Sequence, residues 1–291
     1  MLQKIILFFL IMKDPCSFAN PVDPNFIETH STSFFKPDKD PHKPRSDFAM
    51  PLLTFFLPGL DQYLENQTFY GLAYTGGFLL STNYASFHNN QYTKDPNQIT
   101  RSPSTSFHER RQEWGNQTSL NLMGLSSYHS FRTAAESRKP SGQYQFLNQQ
   151  ETVKDIFLAP FNINFLTRKT TLIPLAVSAF VSFSFLTADK KTLEKNNLKK
   201  RNLSRDDMFF AFGNGYNAGV WEEAVFRGWF FPFLYEQWGN DFYANLATST
   251  IFALSHSNKV PIVQFAMGFY LGYLTKKNHW SISESIFIHS W

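Results

Sequence analysis

The stretch Val220-Trp221-Glu222-Glu223-Ala224-Val225-Phe226-Arg227-Gly228-Trp229 places two adjacent acids and one arginine inside an apolar run from Met208 to Leu234. A charged side chain at membrane depth costs about 2.5–3.5 kcal/mol on insertion scales, so neighbouring acids there need partners. On a helix, Glu223 and Arg227 stand four residues apart on one face and can neutralise each other. Glu222 is rotated by about 100° and points elsewhere. The pattern therefore leaves one acid free for chemistry.

Two histidines follow in similarly apolar surroundings. His256 ends the stretch Phe252-Ala253-Leu254-Ser255-His256, and His289 ends Glu284-Ser285-Ile286-Phe287-Ile288-His289. Counting from Glu222, His256 follows after 34 residues and His289 after a further 33. Each interval is about one membrane helix plus a turn, so antiparallel helices would bring the three side chains to similar depth. The spacing predicts one polar site built from three helices.

Together, these residues resemble the CPBP family of CAAX proteases and bacteriocin-processing enzymes, the Abi group, which is related to the Rce1-like CAAX prenyl endopeptidases. The resemblance covers about residues 209–291 and implies an intramembrane endopeptidase. It is carried by motifs in a specific order: Glu222-Glu223-x-x-x-Arg227, Phe252-x-x-x-His256 and His289, with Phe226-Arg227-Gly228 and Gly268-Phe269-Tyr270-Leu271-Gly272 among them.

The resemblance also assigns roles to individual residues. Peptide hydrolysis needs a base that activates water and a donor for the oxyanion. The family pattern gives these tasks to Glu222 as the base, His256 as its partner and His289 as the donor. We interpret Glu223 and Arg227 as a structural pair, and Phe252 as a supporting residue.

The family's last motif is His-x-x-x-Asn, and this sequence stops at Trp291, two residues before that Asn. We expect either that the sequence is incomplete or that the site lacks this polar partner.

The metal state has two readings. The carboxylate of Glu222 and the imidazoles of His256 and His289 could hold zinc with an open fourth position, and the family is often classed as metalloproteases. However, the sequence has no His-Glu-x-x-His helix, and three separate helices would have to meet within bonds of about 2 Å. We therefore favour water activation without a metal and keep zinc as the alternative.

Composition favours a membrane protein. Hydrophobic residues make up 43% of the chain, yet the mean hydropathy is −0.30 because apolar runs alternate with polar segments. The 33 phenylalanines suit lipid-facing and interfacial positions. We predict an all-α fold, a multi-pass transmembrane helical bundle with a polar N-terminal tail and loops. The expected location is the bacterial inner membrane, and the expected partners are the lipid bilayer and a peptide or protein substrate.

Charge and cysteine content exclude other classes. The net charge is +4, but the basic residues concentrate between Lys190 and Arg205. Such a loop indicates contact with anionic lipid and a cytoplasmic position, so no nucleic-acid partner is expected. Cys16 is the single cysteine, which rules out an intramolecular disulfide and a thiolate zinc site.

Four regions follow from the pattern along the chain. Residues 1–19 have the basic, apolar and small-residue order of a signal peptide, with an uncleaved anchor as the alternative. Residues 20–47 are rich in proline and charge and predict a disordered tail. Residues 48–205 predict a membrane-associated region with polar loops, and residues 206–291 the protease module.

The region 48–205 contains apolar stretches of different lengths, separated by polar ones. Phe69–Phe87 and Leu172–Leu186 are long enough to span a bilayer, whereas Pro58-Gly59 breaks an earlier apolar stretch. Residues 88–117 predict a solvated loop. Leu120–Phe131 could complete a hairpin or lie at the membrane interface, and the pattern does not decide between them.

Two other functions fit parts of the pattern. A catalytically inactive CPBP-fold protein could act as an immunity factor or scaffold for a partner. A transporter could use the buried acids as a proton relay, but the sequence shows no substrate pathway for it.

Overall fold

A computed structural model of the chain describes residues 45–94, 107–147, 151–186, 205–256 and 261–291. These residues are helical and contain no strand, which confirms the all-α prediction. The signal peptide predicted at 1–19 and most of the predicted tail and basic loop lie outside the described residues. The α-helices are α1 (Ala49–Phe56), α2 (Leu60–Leu64), α3 (Thr68–Lys94), α4 (Phe107–Arg138), α5 (Val153–Leu158), α6 (Lys169–Leu186), α7 (Arg205–Val225), α8 (Phe231–Trp238), α9 (Asp241–Ser255), α10 (Pro261–Lys277) and α11 (Ser283–Ser290).

Shorter turns join several of these helices. Between α7 and α8 the chain forms a π-helical turn over Phe226–Phe230. The two helices are therefore continuous, and they carry Glu222, Glu223 and Arg227. The 3-10 turns lie at Lys139–Ser141, Ala159–Phe161 and Ile163–Thr167.

Helices α3 and α4 form an antiparallel hairpin. The Ser81 and Ser119 hydroxyls are 2.7 Å apart near its middle, and the Tyr74 hydroxyl lies 3.3 Å from His129 Nδ1 nearer one end. The hairpin alternative for Leu120–Phe131 is therefore the observed one. The predicted solvated loop at 88–117 is wrong for 88–94 and 107–117, which are helical. These polar stretches are held by the partner helix rather than by an apolar face of their own.

The predicted break at Pro58-Gly59 is confirmed. Helix α1 ends at Phe56, and Gly59 has a φ of +93°, a conformation that suits glycine because it has no Cβ. The amide of Gly59 donates to the Ser126 hydroxyl at 2.9 Å, which docks the turn on α4.

The end of the predicted tail is ordered, contrary to the disorder expected up to residue 47. Arg45 pairs with Asp61 at 2.7 Å, and Asp47 accepts a hydrogen bond from the Tyr144 hydroxyl at 2.6 Å. Burial, together with the adjacent Asp47 carboxylate, raises the pKa of Tyr144, so its hydroxyl stays protonated and donates. The Asp47 carbonyl also accepts from Trp229 Nε1 at 3.2 Å, which ties this segment to the aromatic core.

Helix α7 packs on α4 through small and amide side chains. Asn121 Nδ2 donates to Asn217 Oδ1 at 2.8 Å, and Gly124 lies directly against Trp221. On the other side, Gly268 and Gly272 of α10 let α9 approach closely, against Phe252 and Asn245 respectively. Gly268 and Gly272 thus allow close packing of α9 and α10.

Among the described residues, no helix combines the length and the apolar character needed to cross a membrane. The multi-pass arrangement and the membrane location therefore stay predictions.

Candidate active site

The two adjacent acids lie near the C-terminal end of α7, in the interior of the protein. The relative exposure of Glu222 is 8%, and Glu223 is fully buried. Glu223 Oε1 lies 3.0 Å from Arg227 NH1, as the four-residue spacing predicts. Arg227 belongs to the π-helical turn, a local widening of the helix that occurs often at functional sites.

His256 caps the C-terminal end of α9 and faces Glu222. Its Nδ1 lies 2.8 Å from the carbonyl oxygen of Phe252, one helical turn earlier. A carbonyl oxygen only accepts hydrogen bonds, so Nδ1 carries the proton and the ring orientation is fixed. The other ring nitrogen, Nε2, lies 3.6 Å from Glu222 Oε2.

His289 reaches the same acid from α11. Its Nε2 also lies 3.6 Å from Glu222 Oε2, while its Nδ1 is 2.8 Å from Glu223 Oε1. The structure thus brings together the three residues that the sequence predicts for catalysis, Glu222, His256 and His289.

Glu223 has a second role that sequence reasoning missed. Its Oε1 contacts both Arg227 and His289 Nδ1, so the carboxylate holds a catalytic candidate as well as balancing the arginine. The spacing of Glu223 and Arg227 signals one partner, but a contact across 66 residues has no local signal. It requires α11 to lie against α7, where Gly215 and Gly219 leave room for the backbone of Ser290.

Phe252 packs against three polar side chains of the site. The Arg227 guanidinium carbon lies 4.3 Å from the centre of the Phe252 ring, a cation–π distance. The same ring packs edge to face against His256 at 4.6 Å and against His289 at 6.0 Å. The supporting role of Phe252 stays a prediction.

Three acceptor atoms converge at the centre of the site. With Nδ1 of each histidine bonded to an acceptor, a neutral imidazole presents the lone pair of Nε2 to Glu222 Oε2. That oxygen is buried and has no hydrogen-bond partner within the part of the chain that the structure describes. Facing acceptors are stable only with a proton donor between them. A water molecule or a protonated imidazole would satisfy this arrangement.

The side chains as placed do not form a metal-ligand set. The Nδ1 hydrogen bonds of both histidines are of the kind that orient metal ligands. Yet over the described ranges no group of three or more His, Cys, Asp or Glu side chains is arranged to hold an ion. The Nδ1 bonds orient the imidazoles equally well in a site without a metal.

Residues 204–291 match the family model described as type II CAAX prenyl endopeptidase, Rce1-like. The match includes all six residues of the predicted site and confirms the family resemblance for this part of the chain. The description names an endopeptidase, so a peptide is the substrate class that the match indicates. No curated protein and no solved structure matches the chain significantly.

Proposed function

We propose that the protein is an intramembrane endopeptidase that hydrolyses peptide bonds of membrane-associated or secreted peptides. The observation that carries this proposal is the convergence of His256 Nε2 and His289 Nε2 on Glu222 Oε2, each at 3.6 Å. This separation is too long for a direct hydrogen bond, and a water placed against these three atoms would supply the missing proton donor. A water held there would lie within reach of a base.

Glu222 acts as the general base in this proposal. Its carboxylate takes a proton from the water as the oxygen attacks the carbonyl carbon of the substrate. His256 accepts through Nε2 and helps to orient the same water. The proton then passes to the leaving amine, which balances the hydrolysis.

His289 stabilises the oxyanion of the tetrahedral intermediate. Because its Nδ1 proton is bonded to Glu223, it can donate through Nε2 only as an imidazolium. The charges permit this form, because the two carboxylates balance Arg227 and one imidazolium. A buried site with balanced charge avoids the penalty of an unpaired ion.

Membrane association is part of the proposal. Large apolar side chains on α3 and α6 are more than half exposed, as with Phe69 (79%), Leu80 (75%) and Ile173 (64%). Extended apolar surfaces of this kind favour contact with lipid or another apolar partner. An integral membrane location would cover them.

Cleavage by a Glu222→Gln variant tests the proposal. Purified wild type and variant are incubated with a farnesylated peptide that ends in a CAAX sequence, with the same peptide lacking the farnesyl group, and with membrane extract. We expect wild-type cleavage of at least one substrate and its loss in Glu222→Gln, with normal expression and melting temperature. The matched control is Glu236→Gln, which alters a half-buried acid of α8 that bonds the Tyr144 amide. Full activity of Glu222→Gln would overturn the mechanism.

A further inference from the structure

A buried carboxylate from outside the family-matched region holds the helix that carries His289. Glu151 precedes α5, and its relative exposure is 8%. Its Oε1 accepts from the Ser281 hydroxyl at 2.6 Å, from the Ser283 hydroxyl at 2.7 Å and from the Ser283 amide at 3.1 Å. The Ile282 amide donates to both of its oxygens at 3.0 Å. The carboxylate thus binds Ser281, Ile282 and Ser283, the three residues at the start of α11.

Helix α11 has no cap of its own at this end. The N-cap position is Ile282, whose side chain cannot accept a hydrogen bond. The first amides of a helix need acceptors, and a negative charge there is favoured by the helix dipole. Glu151, 131 residues away in sequence, supplies both the acceptor and the charge.

The position of α11 determines where His289 lies. The helix has only eight residues, and His289 follows Ser283 by six residues, about 9 Å along the axis. Its other end is also held from the segment after Glu151, because Trp291 Nε1 donates to the Pro160 carbonyl at 2.8 Å. A helix of two turns has little rigidity without such anchors.

We propose that Glu151 is a positioning residue for His289. By fixing the start of α11, it keeps His289 Nδ1 on Glu223 and Nε2 directed at Glu222. The reaction it serves rests on the proposed function, but the positioning itself is a property of the fold. The N-terminal region, residues 1–203, thereby contributes to a site whose reacting residues all lie in 204–291.

Glu151→Gln is the direct test, because glutamine keeps the size and one acceptor oxygen but loses the charge. We expect kcat for the cleaved peptide to fall about 10- to 100-fold with KM nearly unchanged, since small misplacements of a reacting group have effects of this size. Glu236→Gln, with its amide bond to Tyr144, should retain wild-type kcat. A loss that merely follows the fraction of folded protein, or equal kcat in Glu151→Gln and wild type, would overturn the proposal.

A second readout does not depend on activity. In protein labelled with ¹⁵N-histidine, the Nδ1 resonance of His289, assigned with a His289→Gln variant, reports its hydrogen bond to Glu223. We expect this resonance to shift or broaden in Glu151→Gln and to stay unchanged in Glu236→Gln. If wild type cleaves no peptide, the proposed function fails while this measurement still decides the positioning role. An unchanged His289 resonance in Glu151→Gln would refute it.

Ser283→Ala covers the case in which Glu151→Gln does not fold. This variant removes one hydroxyl donor to Glu151 and leaves the carboxylate and the backbone amides in place. We expect the same changes in kcat and in the His289 resonance, at smaller amplitude. Wild-type values for both quantities in folded Ser283→Ala would count against the proposal.

Discussion

Two neighbouring residues of identical chemistry have different partners because one step along a helix rotates the side chain by about 100°. Glu222 faces the Nε2 atoms of both histidines, whereas Glu223 faces Arg227 and the Nδ1 atom of His289. His289 therefore touches both acids, one with each ring nitrogen. This shared contact couples the base to the oxyanion donor.

Replacing Arg227 with leucine should destabilise the protein far more than replacing Glu222 with glutamine. Arg227→Leu removes the arginine that contacts the buried Glu223 carboxylate and leaves His289 as its remaining partner, and breaking a buried pair costs about 3–5 kcal/mol. The measurement is thermal unfolding of both variants in detergent. The control is the double variant Glu223→Gln/Arg227→Leu, which removes both charges and should recover part of the loss. Equal melting temperatures of Arg227→Leu and Glu222→Gln would contradict the pairing.

Zinc content separates the two readings of the site. We expect purified active protein to contain zinc well below one ion per chain and to keep its activity after chelation, because the side chains are placed for hydrogen bonding to water. Elemental analysis of wild type and His256→Ala measures this. Stoichiometric zinc that is lost in His256→Ala, with activity that returns when zinc is restored after chelation, would establish the metal reading instead.

Local spacing predicts contacts on one helix and fails for contacts between helices. Glu223 and Arg227 are four residues apart, so a helical assignment was sufficient to pair them. Neither the bond between Glu223 and His289 nor the one between Glu151 and Ser283 follows from spacing. Both depend on how α11 packs, and the order of the motifs predicts a shared site without its hydrogen bonds.

At the scale of the helices, the π-helical turn positions Arg227, and the glycines of α7 let α11 approach with His289. The turn at Phe226–Phe230 changes the helical register shortly after the acids, and the hydrophobic pattern of the sequence does not predict it. The polar halves of α3 and α4 were missed for a related reason. Their helicity comes from mutual packing, as where the Nδ1 atoms of His88 and His108 lie 2.9 Å apart, rather than from an amphipathic pattern.

Gly219→Ala tests the contact between α7 and α11. A Cβ at Gly219 would lie 3.0 Å from the amide nitrogen and 3.1 Å from the Cα of Ser290, so the backbone beside His289 must move. We expect a loss of about 1–3 kcal/mol in the free energy of unfolding and a marked fall in cleavage. Gly76→Ala is the matched control, since a Cβ there meets nothing within 4 Å. If both variants melt and cleave alike, the packing argument for α11 is wrong.

At the scale of the whole molecule, the N-terminal region forms part of the fold on which the site depends. Helix α4 covers α7, and residues 151–171 hold α11 through Glu151 and through the contacts of Glu284 with Arg168, Thr170 and Thr171. The sequence predicted membrane association for this region but no structural link to the site. The lengths and polarity of the segments predict membrane association. They do not predict these links, because each link is a hydrogen bond between residues far apart in the sequence.

Residues 204–291 should therefore fail to fold when expressed alone, although the family match covers only them. Without α4, the fragment exposes the α7 surface around Asn217 and Trp221 and the face of Gly228 that packs on the buried ring of Tyr128. Without residues 151–171, the amides of Ile282 and Ser283 lose their acceptor, and the carboxylate of Glu284 keeps only its bond from Asn278. We expect no cooperative thermal transition and no cleavage by the fragment, and recovery of both when residues 1–203 are co-expressed as a separate chain. A fragment that melts cooperatively and cleaves peptide at the wild-type rate would show that the site is independent of the N-terminal region.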